Sequence, residues 1–206
     1  MLAPLALAAL FAGPVTLTFL IAAFVGVGAW EWGRMCRNAS SHAWLLVGLL
    51  ILGLAGAALI WLRHMHGIYA VLWLFGTVWA TDIGAYAVGK LVGGPRIAPT
   101  ISPNKTWAGL AGGVTCAVIW SIAFAYAIEP GTVGMGPLVA FGAIAAVMAQ
   151  AGDFAVSFAK RRFGLKDSSG LIPGHGGVLD RVAGLLTTGP ALALLLLAIN
   201  SDARAW

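Results

Sequence analysis

The densest group of reactive side chains lies in one stretch, Gly152–Gly184, which reads GDFAVSFAKRRFGLKDSSGLIPGHGGVLDRVAG. Asp153, Ser157, Lys160 and Arg161 fall at i, i+4, i+7 and i+8, one face of a helix. That face sets a carboxylate and a hydroxyl below two cations. Lys166 and Asp167 follow Gly164. The string Pro173-Gly174-His175-Gly176-Gly177 suits a tight loop where backbone approaches a ligand, because glycine adopts conformations that other residues resist. Asp180 and Arg181 come next. Three carboxylates, Asp153, Asp167 and Asp180, thus converge on Lys160, Arg161, Lys166 and Arg181. Oxygen ligands without cysteine suit a hard cation such as Mg²⁺, which binds through a few carboxylates together with substrate phosphates. The Lys and Arg side chains suit phosphate oxygens and the charge that develops on a leaving phosphate. The pattern therefore fits phosphate-ester chemistry. A plain basic loop with helix-end ion pairs needs neither Gly-His-Gly-Gly nor an Asp and a Ser inside the helix. His175 either bonds within the loop or acts directly. No Gly-x-x-x-x-Gly-Lys-Ser/Thr string occurs, so a nucleotide cradle of the soluble kind is unsupported.

Two other polar groups stand out. Asp82 lies in an apolar run, Gly67–Lys90, eight residues before its end. At a rise of about 1.5 Å per residue it sits about 12 Å below the interface. An ionisable group at that depth is costly and faces a protein interior or a watery cavity. It is either an inter-helix hydrogen-bonding residue or a ligand lining a polar cavity. Tyr86 and Gly89 share its face. The second group is the Gly/Pro-punctuated loop Gly93–Thr106, which brings Ser102, Asn104, Lys105 and Thr106 to the start of the next helix. Free N–H groups, the positive dipole end and Lys105 suit an anion there; a helix cap beside a membrane-face charge is the plainer reading.

The rest of the chain must position these groups in lipid. Of its 206 residues, 60% are hydrophobic and 9% charged, and the mean hydropathy is +0.92. Soluble domains carry about a quarter charged residues, so lipid is the solvent for most of this surface. The net charge of +5 then reflects loops facing anionic headgroups, and no nucleic-acid partner is expected. Cys36 and Cys116 show neither metal-ligand spacing nor a disulfide framework. The N-terminus enters apolar residues directly and reads as a membrane segment, not a removable signal.

A helix needs about 20 apolar residues to cross the hydrocarbon core. Six runs qualify: Pro14–Trp32, Ala43–Leu62, Gly67–Lys90, Trp107–Ile128, Pro137–Ala159 and Gly184–Asn200. Leu2–Ala12 is apolar but short, with Gly13-Pro14 as a break. The fold class is therefore all-α, a polytopic transmembrane helical bundle of six spans plus a short N-terminal one, with a polar cavity facing the cytoplasm. Residues 1–66 form N-terminal helices; residues 67–206 form a catalytic membrane region with loops at 90–106 and 160–183. The joins after the first, third and fifth spans hold Arg34, Arg37, Lys90, Arg96, Lys105, Lys160, Arg161, Arg162, Lys166 and Arg181. The opposite side holds Arg63 and Arg204. That asymmetry makes the basic side cytoplasmic and puts Glu129-Pro130-Gly131 and the tail Ser201–Trp206 outside. Trp30, Trp32, Trp44, Trp61 and Trp107 fall near span ends, where interfacial aromatics belong; Trp73, Trp79 and Trp120 lie inside spans and read as packing residues.

The spaced motif resembles that of the phosphatidate cytidylyltransferases (CDP-diacylglycerol synthases). Their signature, which reads approximately Ser-x-x-Lys-Arg-x4-Lys-Asp followed a few residues later by Pro-Gly-His-Gly-Gly-x-x-Asp-Arg-x-Asp, is matched here by Ser157, Lys160, Arg161, Lys166, Asp167, Pro173, Gly174, His175, Gly176, Gly177, Asp180 and Arg181. Thr81–Tyr86 with Gly89, Ile101–Gly109 and Trp30-Glu31-Trp32 also resemble family segments. The resemblance implies a reaction in which CTP and phosphatidic acid give CDP-diacylglycerol and pyrophosphate. It implies Mg²⁺, with K⁺ as a candidate second cation, a homodimer, and an integral protein of the bacterial inner membrane whose site faces the cytoplasm. By matched position it implies Asp153 and Asp180 as metal ligands, with Asp167 next. Lys160, Arg161 and Lys166 contact CTP phosphates, and Asp167, His175 and Arg181 join the catalytic group. Asp82, Ser102, Asn104, Lys105, Ser157, Gly176 and Gly177 form the substrate-binding set, Asp82 and Lys105 on the lipid-phosphate side. The family pattern ends Asp-Arg-x-Asp, whereas this chain ends Asp180-Arg181-Val182-Ala183. Alanine binds no metal, so either that carboxylate is dispensable or activity is weakened. A CTP-dependent polyprenol or other lipid kinase has a similar signature region but transfers the γ-phosphate. An ion-coupled transporter using Asp82 and Asp153 is a reading from another class, and no internal repeat favours it.

Overall fold

The computed structural model describes residues 2–37, 42–128, 135–172, 174 and 176–198. Among them are seven helices: α1 (Leu2–Ala12), α2 (Pro14–Arg37), α3 (His42–Met65), α4 (Gly67–Val92), α5 (Trp107–Ile128), α6 (Met135–Arg162) and α7 (Leu179–Ala198). All but α1 are long and apolar enough to cross a membrane. The chain is an integral membrane protein by that measure. The apolar runs dictate this result, since a helix satisfies every backbone polar group within itself and lipid offers no substitute partner. The break between α1 and α2 falls at Gly13, whose φ is 134°. The expected outer turn at residues 129–131 and the tail from Ser201 lie outside the described residues, as do Pro173 and His175.

α4 is the most deeply buried span and packs most extensively against α5. Small residues permit that approach. A Cβ on Gly84 would lie 2.6 Å from the Gly112 carbonyl, and one on Gly109 would lie 2.8 Å from that of Ala85. This is the small-residue packing that membrane helices use in place of a hydrophobic drive. Trp73 is fully buried and donates its ring N–H to Ser121 Oγ at 3.1 Å. Trp120 donates to the Trp73 carbonyl, and Trp79 packs on the same core, so the three mid-span tryptophans are packing residues. Trp30 and Trp107 are more than half exposed, as interfacial aromatics should be. Trp32 differs: it is buried and donates to the Trp44 carbonyl at 2.8 Å, locking α2 to the start of α3.

Two further differences from the sequence reading matter for the site. Residues 96–106 are an antiparallel hairpin, β1 (Arg96–Ala98) with β2 (Ser102–Thr106), not an irregular loop. The last span begins at Leu179, five residues earlier than expected, so Asp180 and Arg181 lie in the first turn of α7 and not in the loop before it.

Candidate active site

β2 runs straight into α5, and Thr106 caps that helix by accepting the Gly109 N–H at 3.0 Å. One N–H group of the helix start is thus taken by the chain's own side chain. Lys105 points across to α6 and donates to Asp153 Oδ2 at 2.8 Å, its ammonium 4.8 Å from the Phe154 ring centroid. Asp82 on α4 and Asp153 on α6 line one polar cleft of about 290 Å³ with Tyr86, Ser102, Asn104 and Gln150. Asp82 is therefore a cavity residue. Its surroundings carry the charges of Asp153, Lys105 and Arg181.

Seven residues further along α6, Lys160 donates to Asp180 Oδ1 at 2.6 Å. The other oxygen of Asp180 accepts from the Ser168 N–H and hydroxyl, each at 2.9 Å, and from the Gly177 N–H at 3.0 Å. The aspartate stands in the first turn of α7, where a carboxylate meets the positive end of the helix dipole. The loop must contain glycine to fold around it. Gly176 has φ 78°, and a Cβ there would lie 2.8 Å from Asp180 Oδ2 and 3.6 Å from Asp167 Oδ1. A Cβ on Gly177 would overlap the Ser168 hydroxyl and the Glu31 carboxylate.

Other predicted residues take different places. Arg161 is exposed and reaches the Ile101 carbonyl at 3.4 Å and the Leu165 carbonyl at 3.2 Å, tying the hairpin turn to the loop after α6. Ser157 is half-buried, and Lys166 and Asp167 are exposed. Among the described residues, Arg181 is the one charged residue lining an apolar groove formed by α1, α2, α3, α4 and α7. His175 lies outside the described residues.

The three carboxylates do not gather into one group. Among the described residues no set of three or more His, Cys, Asp or Glu side chains is placed to hold a metal. Asp153 shares the cleft with Asp82, whereas Asp167 and Asp180 flank Gly176. The cleft still fits Mg²⁺, which needs one or two carboxylates and takes its other oxygens from water and substrate phosphates. Asp82 and Asp153 would supply the carboxylates, and Ser102, Asn104 and Gln150 would add neutral oxygens. Asp180 is more fully engaged: a carboxylate has about four acceptor positions, and its bonds to Lys160, Ser168 and Gly177 use as many.

Sequence reasoning gave no role to Glu31. It is fully buried and receives hydrogen bonds from Ser168, Ser169, Val178 and Leu179. The available signal was an acidic residue near the end of an apolar run, which lipid tolerates only with partners.

Ala183 is 3% exposed in an apolar cluster with Trp32, Val156, Ala159 and Leu186. Ala183→Asp should lower thermal stability in detergent by about 3 kcal/mol, the usual cost of an unpaired buried charge, without raising turnover. A more active variant would contradict this assignment.

The model of the cytidylyltransferase family matches residues 41–199. The chain is 42% identical over 188 residues to the phosphatidate cytidylyltransferase of Brucella suis biovar 1 (strain 1330), covering 89% of this chain and 64% of that protein. The protein of the same name from Staphylococcus aureus (strain COL) is 39% identical over 132 residues, 64% of this chain and 50% of the relative. The chain thus spans less than two thirds of the length of these relatives. The match takes in both lysine–aspartate pairs and the loop between Asp167 and Asp180, and on that basis the chain belongs to the cytidylyltransferase family.

Proposed function

We propose that this protein transfers the cytidylyl group of CTP to phosphatidic acid, giving CDP-diacylglycerol and pyrophosphate for phospholipid synthesis. The observation that carries the reading is the pair of ammonium–carboxylate contacts along α6, Lys105–Asp153 and Lys160–Asp180. Each sets a cation beside an oxygen ligand, as the triphosphate and the lipid phosphate both require. The names of the relatives support the substrates; nothing in the comparisons supports a lipid kinase or a transporter.

In this reading a phosphate oxygen of phosphatidic acid attacks the α-phosphorus of CTP. The bond from that phosphorus to the bridging oxygen breaks, and pyrophosphate leaves. The nucleophile is already an anion, so alignment and charge neutralisation replace a strong base. Lys105 holds the lipid phosphate in the cleft, with Ser102 and Asn104 as further donors, and Arg181 neutralises charge on the leaving phosphate. The acyl chains follow the apolar groove that Arg181 borders. Lys160, Arg161 and Lys166 take the triphosphate, His175 and Ser157 are assigned to the same group by their places in the motif, and Gly176 and Gly177 let backbone come close. Bound Mg²⁺ supplies charge neutralisation on the phosphates. Asp153 and Asp82 would hold it, and Asp180 and Asp167 join where Lys160 gives its ammonium to a phosphate oxygen. K⁺ as a second cation and a homodimer belong to the same proposal. The bacterial relatives and the basic side of the chain support an inner-membrane protein with this site toward the cytoplasm.

Purified protein in mixed micelles with CTP, phosphatidic acid and Mg²⁺ should form CDP-diacylglycerol, and chelation should stop it. Release of CDP with a newly phosphorylated lipid would instead support the kinase.

A further inference from the structure

Glu31 lies on α2, six residues before its end, and is fully buried. Its Oε1 accepts from the Ser169 hydroxyl at 2.5 Å and the Val178 N–H at 3.0 Å. Its Oε2 accepts from the Leu179 N–H at 2.8 Å and the Ser168 hydroxyl at 3.2 Å. Every one of these donors belongs to the segment 168–179. The two amides are those left without intrahelical acceptors where α7 begins. A helix usually supplies its own cap; here a carboxylate from another helix does so and adds negative charge at the positive dipole end.

The consequence reaches Asp180. The Ser168 hydroxyl stands between the two carboxylates, which share its single proton, 3.2 Å from Glu31 Oε2 and 2.9 Å from Asp180 Oδ2. Gly177, whose N–H bonds Asp180, packs against the Glu31 carboxylate so closely that no side chain fits. Glu31 thus fixes both the loop donors of Asp180 and the turn from which Asp180 and Arg181 project. We infer that Glu31 is a positioning residue for the Lys160–Asp180 end of the site. It acts on the triphosphate and its cation through the loop, while the Lys105–Asp153 cleft is left to its own supports. This assignment rests on the reaction proposed above for its kinetic consequence, and on geometry alone for the loop.

Glu31→Gln tests it, because each oxygen takes one backbone N–H and an amide can accept at one side only. The substituted NH₂ then faces a backbone donor. Hydrogen exchange of the ligand-free protein should quicken at least tenfold over residues 168–179 and stay at wild-type rates in the 102–109 segment. In steady state, the CTP KM and the Mg²⁺ half-saturation should each rise about tenfold, with the phosphatidic acid KM within about twofold of wild type. Ser169→Ala removes one of the four bonds and should give a smaller change in the same direction. Wild-type exchange in Glu31→Gln overturns the inference, as do CTP and phosphatidic acid constants that rise together. The exchange arm uses no substrate, so a wild type that makes no product counts against the reaction and leaves the Glu31 assignment to be decided by exchange.

Discussion

Asp180→Asn should lower kcat for CDP-diacylglycerol formation at least a hundredfold. The Asp180 carboxylate holds the Lys160 ammonium at 2.6 Å and organises Ser168 and Gly177 through its other oxygen. An asparagine oxygen can keep the Ser168 and Gly177 donors, but its NH₂ then meets the Lys160 ammonium, donor against donor. The lysine loses its anchor and the site loses a negative charge that a cation could use. Removal of one preorganised electrostatic group typically costs about 3–4 kcal/mol of transition-state stabilisation, a factor of about 10²–10³. The pair is largely buried, with side-chain exposures of 12% and 8%, so part of the effect falls on stability. Turnover should therefore be measured well below the unfolding temperature, on protein that elutes as a single species in detergent. Wild-type turnover in such a sample would remove Asp180 from the reaction.

Lys105→Met should act at the other end. It leaves Asp153 and Asp82 facing each other across the cleft without the ammonium between α6 and the hairpin. Methionine keeps the packing on Phe154 but brings no charge. The lipid phosphate would then meet two carboxylates without a compensating cation. The phosphatidic acid KM should rise about tenfold or more and kcat should fall about a hundredfold, with the CTP KM changing much less. Double-mutant coupling between Lys105→Met and Asp153→Asn should reach about 1 kcal/mol or more if the contact acts as a unit. Equal loss of both substrate constants would contradict the division between a lipid-phosphate end and a triphosphate end.

The spans were legible because lipid imposes one rule on every long apolar run, and α5 matches its expected bounds. Their ends were less so. α2 continues past Trp32 to Arg37 and α6 to Arg162, because charged residues continue a helix beyond the hydrocarbon. The hairpin was hidden: β1 has three residues, and the glycines and prolines around it signal only a break. Lys105 and Asp153 are 48 positions apart, and local spacing cannot reveal such a pair. Glu31 is the extreme case, since its partners lie 137–148 positions away. The i, i+4, i+7 face of α6 was legible in part. Asp153 and Lys160 do carry the two ion pairs, but they reach different partners, and the expected three-carboxylate group divides accordingly.

The most direct test follows the label. Purified protein is supplied with phosphatidic acid, Mg²⁺ and CTP carrying a radiolabel at either the α- or the γ-phosphorus. Attack at the α-phosphorus predicts that α-label enters CDP-diacylglycerol, while γ-label leaves entirely as pyrophosphate. Transfer of γ-label to lipid, with α-label left in CDP, would contradict the account.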